Sequence, residues 1–295
     1  MFHAKKCIVC EGKNLKRHIE SVDFSVSKEV FQIVKCESCN FVFTNPRPLD
    51  INLSKYYISD NYISHTDSNK GVFEKIYQII RKFAIRQKFR LITSYVKTGE
   101  ILDIGCGTGD FLNKCKQNNW NTTGIEPSKI AREKAISNYS LNIKESTELN
   151  YLEGEFDVIT MWHVLEHVTE LNQTIIDLNK ILNDNGNLVI AVPNLNSYDA
   201  SYYQKYWAAY DLPIHLYHFT EETITRVFQK HKFKLVKSKG MVFDSFYVSL
   251  LSEEYKSGSK NFIKAMTIGL ISNIVAIFTN RGFSSTIYVF EKENT

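Results

Sequence analysis

From residue 100 onward, apolar β-branched runs alternate with segments whose apolar residues return every three or four positions. This pattern predicts strands over 101–104, 121–125, 156–161 and 187–192, with a short one near 141–143. Between them it predicts helices near 111–117 and over 128–138, and a third marked by Leu171, Ile175, Leu178 and Leu182 that ends at Asn185-Gly186. The last third adds a helix over 221–230 capped by Thr220, a strand over 233–238, a helical stretch over 261–278 and a final strand over 286–291. Strand–helix alternation of this kind implies α/β architecture, a doubly wound and mainly parallel sheet that binds ligands at its strands' carboxyl ends.

The first 48 residues follow a different rhythm. Short β-like runs over 17–24, 29–35 and 41–44 are separated by cysteine-containing turns and closed by Asn45-Pro46-Arg47-Pro48, which suggests a separate module. Residues 49–98 read as a Tyr-rich linker carrying Tyr56, Tyr57 and Tyr62, followed by a helix. In that helix Ile76, Ile80, Phe83, Ile85, Phe89 and Ile92 form the apolar set, and Arg81, Lys82, Arg86, Lys88 and Arg90 a solvated basic face or an anion site. The main domain is then 99–295, with a helical insertion over 241–282.

Composition narrows the classes. The 295 residues are 43% hydrophobic, enough to bury a sizeable core, and 36 basic against 32 acidic residues give a net charge of +4. That balance is too even for bulk attraction to nucleic acid or an anionic membrane. The opening MFHAKKCIVC lacks the apolar core and cleavage site of a secretory leader, so a cytoplasmic location is expected. In such a compartment cysteines stay reduced. Cys7-x-x-Cys10 and Cys36-x-x-Cys39 then have the spacing of a closed tetrahedral zinc site, structural because four sulfurs leave no open position. Cys106 and Cys115 stand apart and read as core or loop residues.

The segment ILDIGCGTGD (101–110) runs a strand directly into glycines at 105, 107 and 109. Glycines here let the backbone turn sharply and approach a ligand that a Cβ would block. A dinucleotide fingerprint would need a glycine at 110, where Asp110 instead sets an anion in the place of a pyrophosphate. About 20 residues after Gly105, Glu126-Pro127 closes the next strand, where a carboxylate can accept both hydroxyls of a ribose.

These residues resemble the first motif of class I S-adenosylmethionine-dependent methyltransferases, acidic-x-G-x-G-x-G, and the resemblance continues through Glu126 and the strand Glu155-Phe156-Asp157-Val158-Ile159 to Trp162-His163-Val164-Leu165-Glu166-His167-Val168. It implies a seven-stranded Rossmann-like sheet whose last strand enters antiparallel. It also implies cofactor contacts from Asp103, Gly105, Cys106, Gly107, Thr108, Gly109, Glu126, Pro127 and Trp162, with Glu145, Ser146 or Thr147 on the adenine side. With the zinc ribbon in front, the chain resembles bacterial methyltransferases of the methyltransferase-23 type, some of which act at carbon or oxygen of sugars attached to nucleotides. The implied activity is methyl transfer to a small acceptor, a sugar nucleotide or a cell-surface glycan sugar.

Acceptor chemistry is expected after the fifth strand, in the stretch over 206–220. Removing a proton from a hydroxyl or activated carbon suits an imidazole near neutral pH. His215 and His218 are the candidates, with Tyr210 as an orienting partner and His163 facing the acceptor from the fourth strand; holding the loop in place is the competing role for the two loop histidines. A metal held by His215 and His218 is disfavoured, because no carboxylate or third imidazole is evident nearby in sequence. The apolar stretch 262–278 is short of the roughly 20 residues that span a bilayer. It reads as a buried helix or lid, or as a contact with the inner membrane face or a lipid-linked acceptor. Two other functions compete: an RNA methyltransferase that grips nucleic acid with the ribbon, although Lys5, Lys6, Lys13, Lys16 and Arg17 lack a stacked aromatic series, and a non-catalytic binding module that keeps the fold.

Overall fold

The computed structural model describes residues 1–57, 72–145, 152 and 155–293. At the amino terminus β1 (Leu15–Val22), β2 (Val30–Cys36) and β3 (Val42–Thr44) form an antiparallel meander. A 22-residue helix, α1 (Val72–Thr93), leads into the main sheet. That sheet begins with β4 (Glu100–Ile104), α2 (Asp110–Lys116), β5 (Asn121–Ile125), α3 (Lys129–Tyr139) and β6 (Asn142–Lys144). After β7 (Phe156–Trp162) come α4 (Leu171–Ile181), β8 (Leu182–Pro193), α5 (Tyr198–Tyr203) and the two-residue β9 (Tyr217–His218). The chain closes with α6 (Glu221–Gln229), β10 (Phe233–Gly240), α7 (Asp244–Ser257), α8 (Phe262–Phe278) and β11 (Ser285–Lys292).

The large sheet has seven strands in the order β10-β11-β8-β7-β4-β5-β6. β4 to β8 pair in parallel, and β11 inserts antiparallel between β10 and β8, as the sequence leads one to expect. The central strands are buried on both faces: Ile101 and Leu102 of β4, Val158 and Ile159 of β7 and Leu188 to Val192 of β8 are all inaccessible. Continuous apolar runs of this type are what a sheet covered by helices on both sides requires. One boundary moves relative to expectation. α4 stops at Ile181, ahead of Asn185-Gly186, because buried Leu182 turns extended to pair with Phe156 before the ladder resumes at Val158 and Asn187.

A second, four-stranded sheet has the order β1-β2-β3-β9. Its last strand comes from the far end of the chain: Val42 pairs with His218 and Phe43 with Tyr217. Phe41, Phe43, Tyr217 and Phe219 pack with Ile224, Val227 and Phe228 of α6 in the same core as Leu188 and Ile190. The amino-terminal strands therefore share a hydrophobic core with the large sheet. Tyr56 of the Tyr-rich segment is buried in a second cluster with Phe31, Ile33 and Val42 and donates to Glu29 at 2.7 Å; Tyr62 lies outside the described residues.

The carboxyl-terminal helices are joined to the sheet by a buried carboxylate. Asp199 of α5 accepts from Trp207 Nε1 (2.8 Å), Ser272 of α8 (2.7 Å) and Ser284 ahead of β11 (2.6 Å), with no accessible surface. Three donors converging on one buried anion replace its hydration. The outward side of α8 is apolar: Ile263 is 80% exposed, Ile277 64% and Phe278 81%. No helix among the described residues is long and apolar enough to cross a membrane. Asp199→Ala orphans three buried donors at once and is expected to destabilise the protein by roughly 3 kcal/mol or more, read as a lowered urea midpoint, with Asp199→Asn costing less.

Candidate functional site

The glycine loop follows β4 because that strand is buried to its last residue and must then turn. Gly105, Gly107 and Gly109 all have positive φ (70°, 55° and 80°). A side chain at Gly105 would strike Val164 Cγ2 at 2.4 Å, whereas nothing lies within 4 Å of where one would sit on Gly107. The first glycine thus allows the 162–168 segment to close against the loop, and the second leaves open space above its backbone. Gly109 caps the amino end of α2 and packs against Leu141 and Ala135.

Polar groups converge on the loop. Glu126, at the end of β5, accepts from Gly107 N and Ser128 N, both at 2.8 Å. Pro127 beside it is exposed, and Thr108 donates to Asp110 at 2.7 Å. Arg81 of α1 donates to Thr108 at 3.0 Å and pairs with Asp110, which also accepts from Tyr139 at 2.8 Å. α1 is in this way fastened over the loop by one residue of its basic set. Cys106 is half-buried, with its sulfur against Gly124. Of the three adenine-side candidates Glu145 is exposed and pairs with Arg132 at 3.6 Å, while Ser146 and Thr147 lie outside the described residues.

Beneath the loop, Asp103 is 1% exposed and accepts from Thr160 Oγ1 at 2.5 Å. Burial pushes its carboxyl up to about 7, against the opposing pull of Thr160 and the Lys88 charge. Lys88 Nζ stands 4.3 Å over the Trp162 ring, and its own pKa is drawn down by burial. Trp162 packs edge-on to Phe111, and its buried Nε1 has no hydrogen-bond partner among the described residues. An acid so costly to ionise alone, an unfilled indole donor and open space over Gly107 fit a ligand carrying positive charge and hydroxyls.

A family model described as a methyltransferase domain matches residues 75–238. The chain belongs to this family. Ubiquinone biosynthesis O-methyltransferases of Rickettsia conorii and Rickettsia akari are 27% and 29% identical to this methyltransferase-family chain over 127 and 143 residues, covering 40% and 45% of it. The chain spans about half the length of these curated relatives, 43% of the first and 57% of the second. Magnesium protoporphyrin IX methyltransferase from Synechocystis, solved with bound SAH, shares the fold with a TM-score of 0.55 at 13% identity, covering 83% of this chain and all of that one.

The four residues expected to act on an acceptor lie in different surroundings. His218 sits in β9, 4% exposed, 3.2 Å from Thr44 Oγ1 and edge-on to Tyr210; burial holds its pKa well below the usual range. Tyr210 is buried with Trp207. His163 follows β7 with φ of 59° and lies between Asp244 (3.2 Å) and Glu166 (3.5 Å). Burial alone would lower its pKa, yet the two carboxylates raise it to about 9, which makes it a cation at neutral pH. His215 places Nδ1 2.9 Å from the Ala209 carbonyl, which leaves Nε2 available. Beside it stand two residues to which sequence reasoning gave no acceptor-side role, Glu166 and His167. Their carboxylate and imidazole atoms lie within 4.8 Å of each other and of His215. The signal is the Glu166-His167 dipeptide just past the fourth strand of the motif series, but about fifty residues separate it from His215 and only folding joins them.

The amino-terminal cysteines form a second cluster. The Cys7 and Cys39 sulfurs are 3.6 Å apart, those of Cys10 and Cys36 3.5 Å, and all four lie within 4.8 Å. Thiolates on one zinc ion at about 2.3 Å would stand about 3.8 Å apart, so this geometry can hold one with little adjustment. Both knuckles end in a left-handed residue, Glu11 and Asn40, and α6 grips them, with Arg226 donating to the Cys39 carbonyl and Lys230 to that of Val9.

Asp103 gives a testable pH dependence. A carboxyl whose folded pKa exceeds its unfolded value binds more protons in the native state, so stability falls as pH rises from about 4 to 7. Urea midpoints of the ligand-free protein should decline over that window, and Asp103→Asn should flatten the decline.

Proposed function

We propose that the protein transfers the methyl group of S-adenosylmethionine to a hydroxyl of a small acceptor. The observation that carries this reading is the cradle over Gly107, with Glu126 on one side and buried Asp103 beneath it. S-adenosylmethionine bound there would supply an electrophilic methyl on a cationic sulfur. Asp103 would answer the cofactor's positive charge. Glu126 would exchange its backbone donors for ribose hydroxyls, and Trp162 would wall the pocket. Val164, seated on Gly105, would carry the Glu166, His167 and His215 cluster to the acceptor end, so that enzyme groups orient both reactants for in-line displacement.

The family supports methyl transfer, and the curated relatives' names support oxygen as the methylated atom. A sugar acceptor, expected from the sequence, gains no support from these names, and the cavity of about 870 Å³ lined by His18, Lys35, Asn194, Glu221 and Arg281 among others shares no lining residue with the glycine loop. Calorimetry should show one S-adenosylmethionine bound per chain, weakened at least tenfold by Glu126→Ala. Release of S-adenosylhomocysteine should then be assayed with catechol, porphyrin and sugar-nucleotide acceptors. Absence of cofactor binding would return the chain to the non-catalytic reading, and a salt-dependent gel shift with RNA would revive the nucleic-acid one.

The four cysteines support a structural zinc ion under the same proposal. Purified protein should contain one zinc per chain by metal analysis, and chelation at high temperature should lower the thermal midpoint by several degrees. Membrane-surface contact is favoured by the outward stripe Ile263, Leu270, Ile274, Ile277 and Phe278 on α8. Co-sedimentation with anionic phospholipid vesicles should be lost on Ile274→Asp with Phe278→Asp; no sedimentation of the native protein would remove this contact from the proposal.

A further inference from the structure

Glu166 is an unusual residue for a protein interior. It has no accessible surface, and neither carboxylate oxygen accepts a hydrogen bond among the described residues, although His163 Nδ1 approaches to 3.5 Å. A buried carboxylate left in this condition costs several kcal/mol unless a cation or donors meet it. His163 is the cation that meets it, and beside the same carboxylate stand two further imidazoles, His167 and His215, whose rings are edge to face at 4.6 Å.

We propose that Glu166, His167 and His215 bind a divalent first-row transition-metal ion. One carboxylate and two imidazoles form a donor set suited to such ions, with positions left over for water or a substrate oxygen. Ligands of one ion bound at about 2.0–2.2 Å stand roughly 3–3.5 Å apart, so the three side chains must close by about an ångström. The surroundings orient the ligands as metal-binding histidines require. The Ala209 carbonyl accepts a hydrogen bond from His215 Nδ1, and the Tyr57 hydroxyl is 3.2 Å from His167 Nδ1. Asp211, with Oδ2 3.9 Å from His215 Nε2, adds a second carboxylate at the rim. The backbone holds the two halves together, since Leu216 N donates to the Glu166 carbonyl at 2.7 Å.

The role of the ion rests on the methyl-transfer reading. An acceptor hydroxyl bound to it would lose its proton to water at a lower pH than in solution. The resulting oxygen anion would form the new O–CH3 bond as the S–CH3 bond breaks, with the electron pair going to sulfur and S-adenosylhomocysteine leaving. His215 would then act as a ligand and not as a base.

The binding test does not depend on activity. Zinc-loaded full-length protein, with its cysteine cluster occupied, is titrated with Mn2+ and free ion is followed by electron paramagnetic resonance. One Mn2+ per chain is expected, with affinity falling at least tenfold in Glu166→Gln and in His215→Gln. Electron spin echo spectra of the native complex should show coordinated imidazole nitrogen, which needs no variant to fold. No Mn2+ binding, or binding without imidazole signals, overturns the proposal; unchanged affinity in both folded variants does the same. Normal turnover after removal of Mn2+ and other divalent ions, with Mn2+ binding intact, would overturn the catalytic role and leave the site, whereas failure of cofactor binding would count against the methyl-transfer reading alone.

Discussion

The cluster of Glu166, His167 and His215 depends on a clamp around residues 215–218. Thr44 donates its amide to the Leu216 carbonyl at 2.9 Å and its hydroxyl to that of His215 at 2.8 Å, while Leu216 donates to Glu166 from the other side. The strand end β3 and the turn after β7 thereby hold the same short segment from opposite flanks. The amino-terminal strands thus add to the Leu216–Glu166 bond in fixing His215 relative to Glu166. The cysteine knuckles reach the same place indirectly, since they set β2 and β3 and are bolted to α6, the helix that follows β9.

Several buried polar groups around the glycine loop and the turn after β7 are incompletely met, as are others elsewhere, such as Trp120, Tyr203 and Ser249. Asp103 has one hydrogen-bond donor and a distant ammonium, Glu166 has an ion pair but no hydrogen bond, and Trp162 has an unmet donor. Asp199, away from the site, has three donors and nothing unmet. Asp199 shows a buried charge answered wholly by the protein, whereas Asp103 and Glu166 are answered only in part.

Much of this was legible in the chain. The alternation of strand and helix patterns gave the sheet, because a parallel strand buried on both faces must be apolar throughout and a covering helix only on one side. The glycine loop and Glu126 were equally readable, since each depends on residues adjacent in sequence: a backbone that must turn at once, and a carboxylate at the end of the very next strand. The cysteine pairs were visible for the same reason. Two knuckles of identical local geometry need only be brought together.

The cluster around Glu166 was not legible. His215 and His218 are three residues apart and look equivalent, yet β9 pairing turns His218 into the core against Thr44 and leaves His215 beside Glu166 and His167. The carboxylate and third imidazole that seemed absent near His215 are contributed by Glu166 and His167, from the turn after a different strand. Sequence by itself determined the sheet, the loop that ends its first strand and the cysteine turns, all products of short-range sterics and periodic burial. Which histidine meets which carboxylate was decided only by the tertiary structure, because strand pairing and core packing between distant segments choose the direction of each side chain.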